Sequence, residues 1–469
     1  MRMADGGNYD LVVLGGGPGG YACALRAALL GLKVAIVERD KVGGTCLHRG
    51  CIPTKALLHA AEVFDTIREA KEYGIQAGEP DFDWAAVQRS KSEPVKKLYG
   101  GLSSLIKHRR IDLIAGEGKL AAERGTIDVS TSDGNRTVSG RDVVIAVGSY
   151  ARSLPGLEPD GTRIVTSDHA LTNETLPRSA AVIGAGAVGV EFASVYRSFG
   201  VEVTVIEALP RIVPLEDPDV SKELAKAFGK RGITVQAGAK VTDVDTSGDL
   251  VRITLSDAKG KSSTVEVEQV LVAVGRGPAT DGVNLEAWGI ETDRGYILAD
   301  ENFSLGEGVW AIGDCVAGVP QLAHAAFAMG FNVAERIAGN EPRPIDFFRD
   351  VPKATYCVPE VASVGYTEEQ AKEAGYEVKT TKHTYVGIAK AQIMHQPGGF
   401  TKIVYVPDGP ILGIHMVGAR VTESISEALL AVGWEANAAE LAGLVHPHPT
   451  LSEAVGEAAL AAIGRPLHG

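Results

Sequence analysis

The hydrophobic positions of the chain form one pattern that occurs twice. In the first copy, an apolar run at residues 11–14 meets the glycine-rich turn 15–20, and another run at 34–37 ends in Glu38. Short apolar runs bounded by glycine are typical of buried parallel strands, and the stretch between these runs has the length of a helix. The pattern predicts a strand, a glycine turn, a helix and a second strand that ends in an acid.

The second copy begins at an apolar run just before residue 184. That run meets the glycine turn 184–189, and a further run ends in Glu207. The step from the first glycine to the acid is 23 positions in both copies, from Gly15 to Glu38 and from Gly184 to Glu207. One glycine-rich turn is a weak signal, whereas two copies with an acid at the same distance are specific.

Both turns match the pattern of dinucleotide-binding sites. The glycines permit a tight turn and the close approach of a pyrophosphate, the helix N-terminus attracts its charge, and the acid accepts ribose hydroxyls. We therefore expect two dinucleotide sites. Their candidate residues are Gly15, Gly17, Gly20 and Glu38 in the first and Gly184, Gly186, Gly189 and Glu207 in the second.

The remaining apolar runs indicate how these units are connected. Near-duplicate strands end at Gly148 and Gly275, and a strand that ends in Gly313 and Asp314 precedes a helical pattern over 322–338. We expect this late strand to complete the first domain. After a proline-bearing stretch, alternating runs and then helices predict an antiparallel sheet with helices beside it.

The predicted fold is therefore α/β, with two interleaved doubly wound dinucleotide-binding domains and a C-terminal α+β domain. The expected boundaries are 1–150 for the first part of the first domain, 151–279 for the second domain, 280–345 for the completion of the first, and 346–469 for the last.

The composition excludes several classes of partner. The chain has 469 residues and a net charge of −13, so nucleic acid and anionic membranes are not expected to bind. The polar residues 1–8 lead directly into a strand, so we expect no signal peptide, and no apolar run is long enough to span a membrane. Five cysteines in this length are not a secreted disulfide framework, and their spacing predicts no metal site.

Cys46 and Cys51 are the cysteines whose spacing predicts chemistry. In a regular helix, residues five apart are about 8–9 Å apart, which exceeds the roughly 7 Å limit for a disulfide, so the segment must bend. Pro53 is tolerated in a first helical turn and suggests a helix that begins near Cys51, where the helix dipole favours a thiolate. Two buried thiols, or a static structural bridge, are the alternatives.

Taken together, the motifs resemble those of the class I, FAD-dependent pyridine nucleotide–disulfide oxidoreductases, from Asp10 to the C-terminal helix. The resemblance is carried by Gly-Gly-Thr-Cys46 through Cys51-Ile-Pro-Thr-Lys55, by Gly313 and Asp314, and by the run from His446 to Glu453. It implies an FAD domain, an NAD domain and a C-terminal domain that forms the interface of a homodimer.

The resemblance also implies roles for the cysteines and for a histidine. Cys51 would lie against the flavin as a charge-transfer thiolate, and Cys46 would exchange with the substrate disulfide. His448, from the partner subunit, would take the proton of the incoming thiol, and Glu453 would orient it. The spacing of Thr450 and Glu453 also fits a helix capping box, so the residues alone leave both interpretations open.

Further contacts follow from the same resemblance. Lys55 and Glu191 would pair beside the flavin, although either residue alone would ordinarily be a solvated helix charge. The additional positions implied to contact FAD are Gly44, Thr45, Lys55, Gly118, Asp314 and Ala323, and Gly275 is implied to contact NAD. The pair His48-Arg49 and Gly277 depart from the usual family pattern.

The nicotinamide cofactor can be predicted from the second acid. Glu207 would accept ribose hydroxyls and repel a 2′-phosphate, which favours NAD over NADP. Arg211, four residues later, could soften this preference.

The family members that the chain most resembles oxidise a protein-bound dihydrolipoyl group and reduce NAD through the disulfide and FAD. The resemblance implies as partner the lipoyl domain of an acyltransferase of a 2-oxoacid dehydrogenase complex, or a similar lipoylated carrier, and a cytoplasmic location. An NAD(P)H-dependent reductase of a low-molecular-weight disulfide is the alternative, which Glu207 disfavours. A mercuric reductase is disfavoured because no cysteine follows Cys357, and a flavin-bound scaffold would not need His448.

Overall fold

The structure is a computed structural model that describes residues 9–468. Residues 1–8, on which the expectation of no signal peptide depends, lie outside the described residues, as does residue 469. Within residues 9–468, no helix combines the length and the apolar character needed to cross a membrane.

The helices and strands alternate through most of the chain. The first part contains β1 (Tyr9–Leu14), α1 (Pro18–Leu29), β2 (Val34–Glu38), α2 (Gly44–Arg49), α3 (Cys51–Glu69), α4 (Trp84–His108), β3 (Asp112–Ala115), β4 (Glu117–Leu120), β5 (Thr126–Thr131), β6 (Gly134–Ile145) and β7 (Ser149–Ala151). The second part contains β8 (Ile164–Val165), α5 (Ser167–Ala170), β9 (Ser179–Ile183), α6 (Ala187–Ser198), β10 (Glu202–Glu207), α7 (Pro218–Lys230), β11 (Thr234–Ala237), β12 (Lys240–Asp245), β13 (Val251–Ser256), β14 (Ser262–Val267) and β15 (Gln269–Val272).

The remaining elements follow in the same order. A third part contains β16 (Arg276–Pro278), β17 (Thr292–Asp293), β18 (Tyr296–Ile297), β19 (Val309–Ala311) and α8 (Ala323–Ile337). The last contains β20 (Lys353–Thr355), β21 (Glu360–Gly365), α9 (Glu368–Glu373), β22 (Lys379–Thr384), α10 (Ala389–Ile393), β23 (Phe400–Tyr405), β24 (Ile411–Gly418), α11 (Val421–Gly433), α12 (Ala438–Ala442) and α13 (Glu453–Ala462).

These elements form two compact units. The first unit combines the chain up to residue 56 with 88–152 and 276–347. Its central sheet has the parallel order β3-β2-β1-β6, and β19 also pairs in parallel with β6. The long strand β6 continues into an antiparallel sheet with β5 and β4. The late strand β19 therefore joins the sheet of the first nucleotide turn, as the sequence predicts.

The second unit combines residues 57–87 and 153–275 with the chain from 348 onward. It holds a parallel sheet of order β11-β10-β9-β15-β8 and a small antiparallel sheet, β12-β13-β14. Its C-terminal part is an antiparallel sheet of order β20-β21-β24-β23-β22, with α11 and α13 packed against it. The predicted α/β fold with a C-terminal α+β domain is confirmed.

Helices α2 and α4 are among those that were not anticipated from the sequence. Helix α2 is a short helix that carries Cys46, and α4 runs for 25 residues with Pro94 in its interior. Proline ordinarily breaks a helix, and Gly100 and Gly101 in the same helix have low helix propensity. Packing in the folded chain overrides these local preferences.

Candidate active site

The first glycine turn lies between β1 and α1. A Cβ atom on Gly20 would lie 1.9 Å from the carbonyl oxygen of Gly15, so only glycine allows these two parts of the turn to touch. A Cβ atom on Gly17, in contrast, would meet nothing within 4 Å. Gly17 therefore borders open space at the N-terminus of α1, where the helix dipole favours a phosphate. The turn fits the pyrophosphate of a dinucleotide.

Glu38 lies at the end of β2, beside the first glycine turn. Its carboxylate accepts the amide of Gly16 at 2.7 Å with one oxygen and the amide of Asp40 at 2.8 Å with the other. An ionised carboxylate has about four acceptor positions, so both oxygens can still accept a ribose hydroxyl. The side chain is thus fixed beside the turn and retains the capacity that its predicted role requires.

The second copy repeats this geometry position by position. A Cβ atom on Gly189 would lie 1.9 Å from the Gly184 carbonyl oxygen, and one on Gly186 would meet nothing within 4 Å. The Glu207 carboxylate accepts the amide of Ala185 at 2.7 Å and that of Leu209 at 2.8 Å. The repeated sequence pattern therefore corresponds to two equivalent sites.

Arg211 is the basic residue that could soften a preference for NAD. Its guanidinium forms an ion pair with Glu369, with Nη2 lying 2.9 Å from Oε2. A guanidinium engaged by a carboxylate is partly neutralised and therefore attracts a 2′-phosphate less strongly.

The two cysteines lie where two helices meet. Cys46 is in the first turn of α2, the chain turns at Gly50, and α3 begins at Cys51, as Pro53 predicts. A Cβ atom on Gly50 would lie 3.0 Å from the Thr45 carbonyl oxygen, so the bend requires a small residue. The predicted break between the cysteines is confirmed.

At this bend the cysteines lie side by side as thiols, close to the separation of a disulfide. The side-chain hydrogen bond to Cys51, together with burial, raises the pKa of Cys46 well above its ordinary value, and Lys55 offsets part of this rise. Lys55 therefore acts electrostatically on the cysteine pair, as a residue one turn along α3 can do.

Tyr21 is a neighbour of the cysteines that the sequence analysis did not identify. Burial, and then the nearby thiols of Cys46 and Cys51, raise its pKa to about 12. Its ring also packs against Phe327, with the centroids 5.6 Å apart. Tyr21 follows the glycine turn directly, but nothing in the local sequence indicates that it faces residues 25 to 30 positions later.

The departures from the family pattern have structural explanations. The Nε2 atom of His48 donates to the Val42 carbonyl oxygen at 2.9 Å, and its ring lies edge-on to Tyr99. At Gly277 in β16, a Cβ atom would lie 2.9 Å from the ring of Tyr150, its partner in β7, so glycine leaves room for that ring.

Other predicted flavin contacts also fall in the first unit. A Cβ atom on Gly44 would lie 2.7 Å from the Cα atom of Gly17, so Gly44 packs directly on the first glycine turn. Asp314 accepts the hydroxyl of Ser149 at 2.5 Å, and Ala323 is the first residue of α8. Gly118 is explained by packing, because a Cβ atom there would lie 2.6 Å from the Leu14 side chain.

Two further predicted positions are Thr45 in the first unit and Gly275 in the second. Thr45 is in the first turn of α2, and Gly275, in the second unit, has a φ of +103° and would tolerate few side chains. Their contacts with cofactors remain predictions.

His448 and Glu453 form a pair in the second unit. The Nδ1 atom of His448 donates to Glu453 Oε1 at 2.8 Å, and the other oxygen of Glu453 accepts the Thr450 amide at 2.8 Å. Burial would raise the pKa of Glu453, but these two hydrogen bonds together lower it below its ordinary value. Since Nδ1 carries the proton, Nε2 remains an acceptor and can serve as a base.

The structure shows one of the two hydrogen bonds of a capping box. Glu453 does reach back to the Thr450 amide, but the Thr450 hydroxyl donates to the Pro447 carbonyl oxygen at 2.8 Å. Glu453 both binds the backbone and orients His448. His446 is different, since its largely buried ring pairs with Glu427 at 2.6 Å.

Glu191 lies on α6, one turn after the second glycine turn. It is only 4% exposed, and one of its oxygens accepts the amide of Tyr356 at 2.9 Å. Its pairing with Lys55, which belongs to the other unit, remains a prediction.

Among residues 9–468, no group of three or more histidine, cysteine or acidic side chains could hold a metal ion.

Comparison with known proteins agrees with this geometry. Residues 9–330 match the pyridine nucleotide-disulphide oxidoreductase family, and residues 351–459 match the dimerisation domain of the same family. The chain is 45% identical to a dihydrolipoyl dehydrogenase of Bacillus subtilis, over 98% of this chain and 99% of that protein. It is 42% identical to a dihydrolipoyl dehydrogenase of Zymomonas mobilis, over 99% of this chain and 100% of that protein.

Solved structures show the same fold. The structure of LpdA from Mycobacterium tuberculosis superimposes with a TM-score of 0.88 at 28% identity, covering 96% of this chain and 99% of that one. The HOCl-induced flavoprotein disulfide reductase RclA of Escherichia coli gives a TM-score of 0.84 at 26% identity, covering 96% of this chain and 99% of that one.

The family implies a flavin and a pyridine nucleotide, and its dimerisation domain supports a homodimer. The chain belongs to the pyridine nucleotide-disulphide oxidoreductase family.

Proposed function

We propose that this protein is a dihydrolipoyl dehydrogenase, which oxidises a dihydrolipoyl group on a carrier protein and reduces NAD to NADH. The observation that carries the proposal is the side-by-side placement of Cys46 and Cys51 at the start of α3. Relatives over nearly the whole chain, at 40 to 45% identity, carry this enzyme name. FAD in the site of Glu38 and NAD in the site of Glu207 complete the assignment.

The sulfur chemistry is a pair of thiol–disulfide exchanges. One substrate sulfur attacks Cys46 of the oxidised pair, the Cys46–Cys51 bond breaks, and Cys51 leaves as a thiolate that the N-terminus of α3 favours. The second substrate sulfur then displaces Cys46, which releases the lipoyl disulfide and leaves two reduced cysteines. Bound FAD would take the electron pair from these cysteines and pass it to NAD.

His448 would take the proton of each attacking thiol through Nε2. Glu453 holds the Nδ1 proton and so fixes the tautomer that the base requires. The His448 side chain is 67% exposed within its own chain, which suits a residue that acts in the active site of a partner subunit. We therefore propose an obligate homodimer with shared active sites.

We assign the FAD-binding domain to residues 1–150 and 280–345, the NAD-binding domain to 151–279 and the interface domain to 346–469. We also propose that Lys55 and Glu191 pair beside the flavin. The physiological partner would be a lipoylated carrier of a 2-oxoacid dehydrogenase complex, or a similar one, in the cytoplasm, where thiols are kept reduced.

The test is steady-state oxidation of dihydrolipoamide with NAD and with NADP, beside the reduction of low-molecular-weight disulfides with either reduced nucleotide. We expect dihydrolipoamide and NAD to give by far the largest kcat/KM. Efficient NADPH-dependent reduction of a small disulfide, with slow dihydrolipoamide oxidation, would contradict the proposal. An in-line assay during sedimentation should place the activity with the dimer, and full activity in a monomeric species would refute the shared site.

A further inference from the structure

Arg231 stands at the end of α7 and contacts three separate parts of the second unit. Its Nη2 atom donates to the Ser198 hydroxyl at 2.9 Å and to Asp65 Oδ2 at 3.4 Å. Its Nη1 atom donates to the Val358 carbonyl oxygen at 3.1 Å and to the Ser194 hydroxyl at 3.3 Å. One guanidinium thus joins α3, α6 and the segment 356–358.

The segment 356–358 is itself bound along α6. The Tyr356 amide donates to Glu191 at 2.9 Å, and the Val358 amide donates to the Ser194 hydroxyl at 3.1 Å. Glu191 and Ser194 are three positions apart and therefore lie on one face of α6. Because Arg231 contacts both Ser194 and the Val358 carbonyl, it fixes the segment whose amide orients Glu191.

The contact with α3 is also specific. Asp65 accepts a hydrogen bond from the Ser198 hydroxyl, and Arg68 donates to Asp65 Oδ1 at 3.2 Å and to the Ser198 carbonyl oxygen at 2.7 Å. Ser194 and Ser198 are nearly fully buried, so these polar groups depend on one another for their hydrogen bonds. If Arg231 is replaced by a neutral residue, the Asp65 carboxylate still pairs with Arg68.

We propose that Arg231 is a positioning residue that ties the part of α3 in the second unit to α6, the helix of Glu191. It acts through Asp65 on one side and through Ser194 and the segment 356–358 on the other. This inference rests on the proposed function, in which Lys55 and Glu191 form a pair beside the flavin. A pair of this kind needs its geometry held by a surrounding layer of hydrogen bonds, since a small displacement weakens it strongly.

The test compares Arg231→Met and Arg231→Lys in the FAD-loaded enzyme with Arg178→Met as the control. Arg178 forms an ion pair with Glu268 on the surface of the same unit, away from this network. Two readouts accompany turnover: the hydrogen exchange of the amides of residues 356–358, and the long-wavelength charge-transfer absorbance after reduction by one equivalent of dithiol.

We expect Arg231→Met to retain FAD and to show at least ~10-fold faster hydrogen exchange at residues 356–358. The charge-transfer absorbance band should be weaker. The kcat should fall about 10-fold, with little change in the KM for NAD. Arg231→Lys should behave similarly, because one ammonium group cannot bridge both sides. The control should match the wild type in every readout. Wild-type exchange, absorbance and kcat in Arg231→Met, or full restoration by lysine, would overturn the inference.

Ser194→Ala provides a second variant if Arg231→Met fails to fold. It removes the direct hydrogen bond between α6 and the Val358 amide and one contact of Arg231, and it keeps every charge. It should give the same local rise in exchange and the same weaker band. Unchanged readouts in Ser194→Ala would also contradict the inference. A wild-type enzyme without dihydrolipoamide turnover would contradict the proposed function instead, and the exchange result would still decide whether Arg231 holds the segment.

Discussion

The Nδ1 atom of His448 donates to Glu453 at 2.8 Å, while the second oxygen of Glu453 is held by the Thr450 amide. His448→Gln removes the base and should lower dihydrolipoamide oxidation by roughly 10²- to 10⁴-fold. NADH oxidation by ferricyanide, which needs no proton from a thiol, should stay close to the wild-type rate. Steady-state assays of both reactions check this prediction, and equal losses in the two would contradict the assigned role.

His446 provides the matched control for His448. Its ring is largely buried and paired with Glu427, so His446→Gln should lower the midpoint of thermal unfolding through the loss of a charge-assisted contact of about 2 kcal/mol. Turnover per folded active site should change little. A loss of turnover as large as that of His448→Gln, with normal stability, would show that the wrong histidine carries the base.

Gly186 and Gly189 belong to the same turn but should have different roles: Gly186 in binding NAD and Gly189 in folding. A Cβ atom on Gly189 would meet the Gly184 carbonyl oxygen at 1.9 Å, so Gly189→Ala should destabilise the protein by about 2 kcal/mol or more. A Cβ atom on Gly186 would meet no atom of residues 9–468 within 4 Å, so Gly186→Ala should keep the thermal midpoint and raise the KM for NAD at least ~10-fold. An unchanged KM in Gly186→Ala would exclude a pyrophosphate at this turn.

Glu207 should set the choice between the two nicotinamide nucleotides. Its carboxylate is fixed at the end of β10 and would repel a 2′-phosphate, so kcat/KM for NAD should exceed that for NADP by about 100-fold or more. Glu207→Gln should narrow the ratio to roughly 10-fold, because the amide still accepts hydrogen bonds but carries no charge. Arg211→Ala should leave the ratio nearly unchanged. Similar kcat/KM values for both nucleotides in the wild type would overturn the assignment.

His415 should make the stability of the folded chain depend on pH. Its Nε2 atom donates to the Tyr366 carbonyl oxygen at 2.8 Å, whereas Nδ1 is buried and has no hydrogen-bond partner among residues 9–468. Burial lowers the pKa of His415 below its ordinary value of 6.5, so the unfolded state binds a proton at a higher pH than the folded state. The free energy of unfolding should therefore fall as the pH drops below about 6.5.

A single histidine can lower the free energy of unfolding by at most about 1.4 kcal/mol for each pH unit. Burial also lowers the pKa of His383, which contributes in the same direction. Urea unfolding at pH 7.5 and 5.5 should show a smaller loss in His415→Gln than in the wild type. An identical loss in both proteins would contradict the prediction.

The parts of the site that the sequence predicted are those that local order determines. The glycines, Glu38 and Glu207 were found because strand, turn and acid follow one another within 23 positions. The start of α3 at Cys51 followed from Pro53 and from the reach of a disulfide. In each case the residues that interact are close in the chain.

The features of the fold and site that the sequence did not indicate depend on contacts between segments that are far apart in the chain. Tyr21 faces the cysteines through the packing of α1, and α4 forms despite Pro94 because its apolar side packs in the fold. Arg231 reaches Asp65 across 166 positions, and Glu191 finds its amide partner in Tyr356 across 165. No short-range pattern marks such pairs, and an arginine at a helix end is ordinarily a surface charge.

The most direct test of the central claim is a count of thiols in the unfolded protein before and after reduction by one equivalent of dihydrolipoamide. The chain has five cysteines. Besides Cys46 and Cys51, these are Cys23, Cys315 and Cys357, which are buried. If Cys46 and Cys51 form the redox disulfide, the air-oxidised enzyme should have three titratable thiols and the reduced enzyme five, and Cys46→Ser and Cys51→Ser should show no such increase. Five thiols in both states, in an enzyme that still turns over dihydrolipoamide, would contradict it.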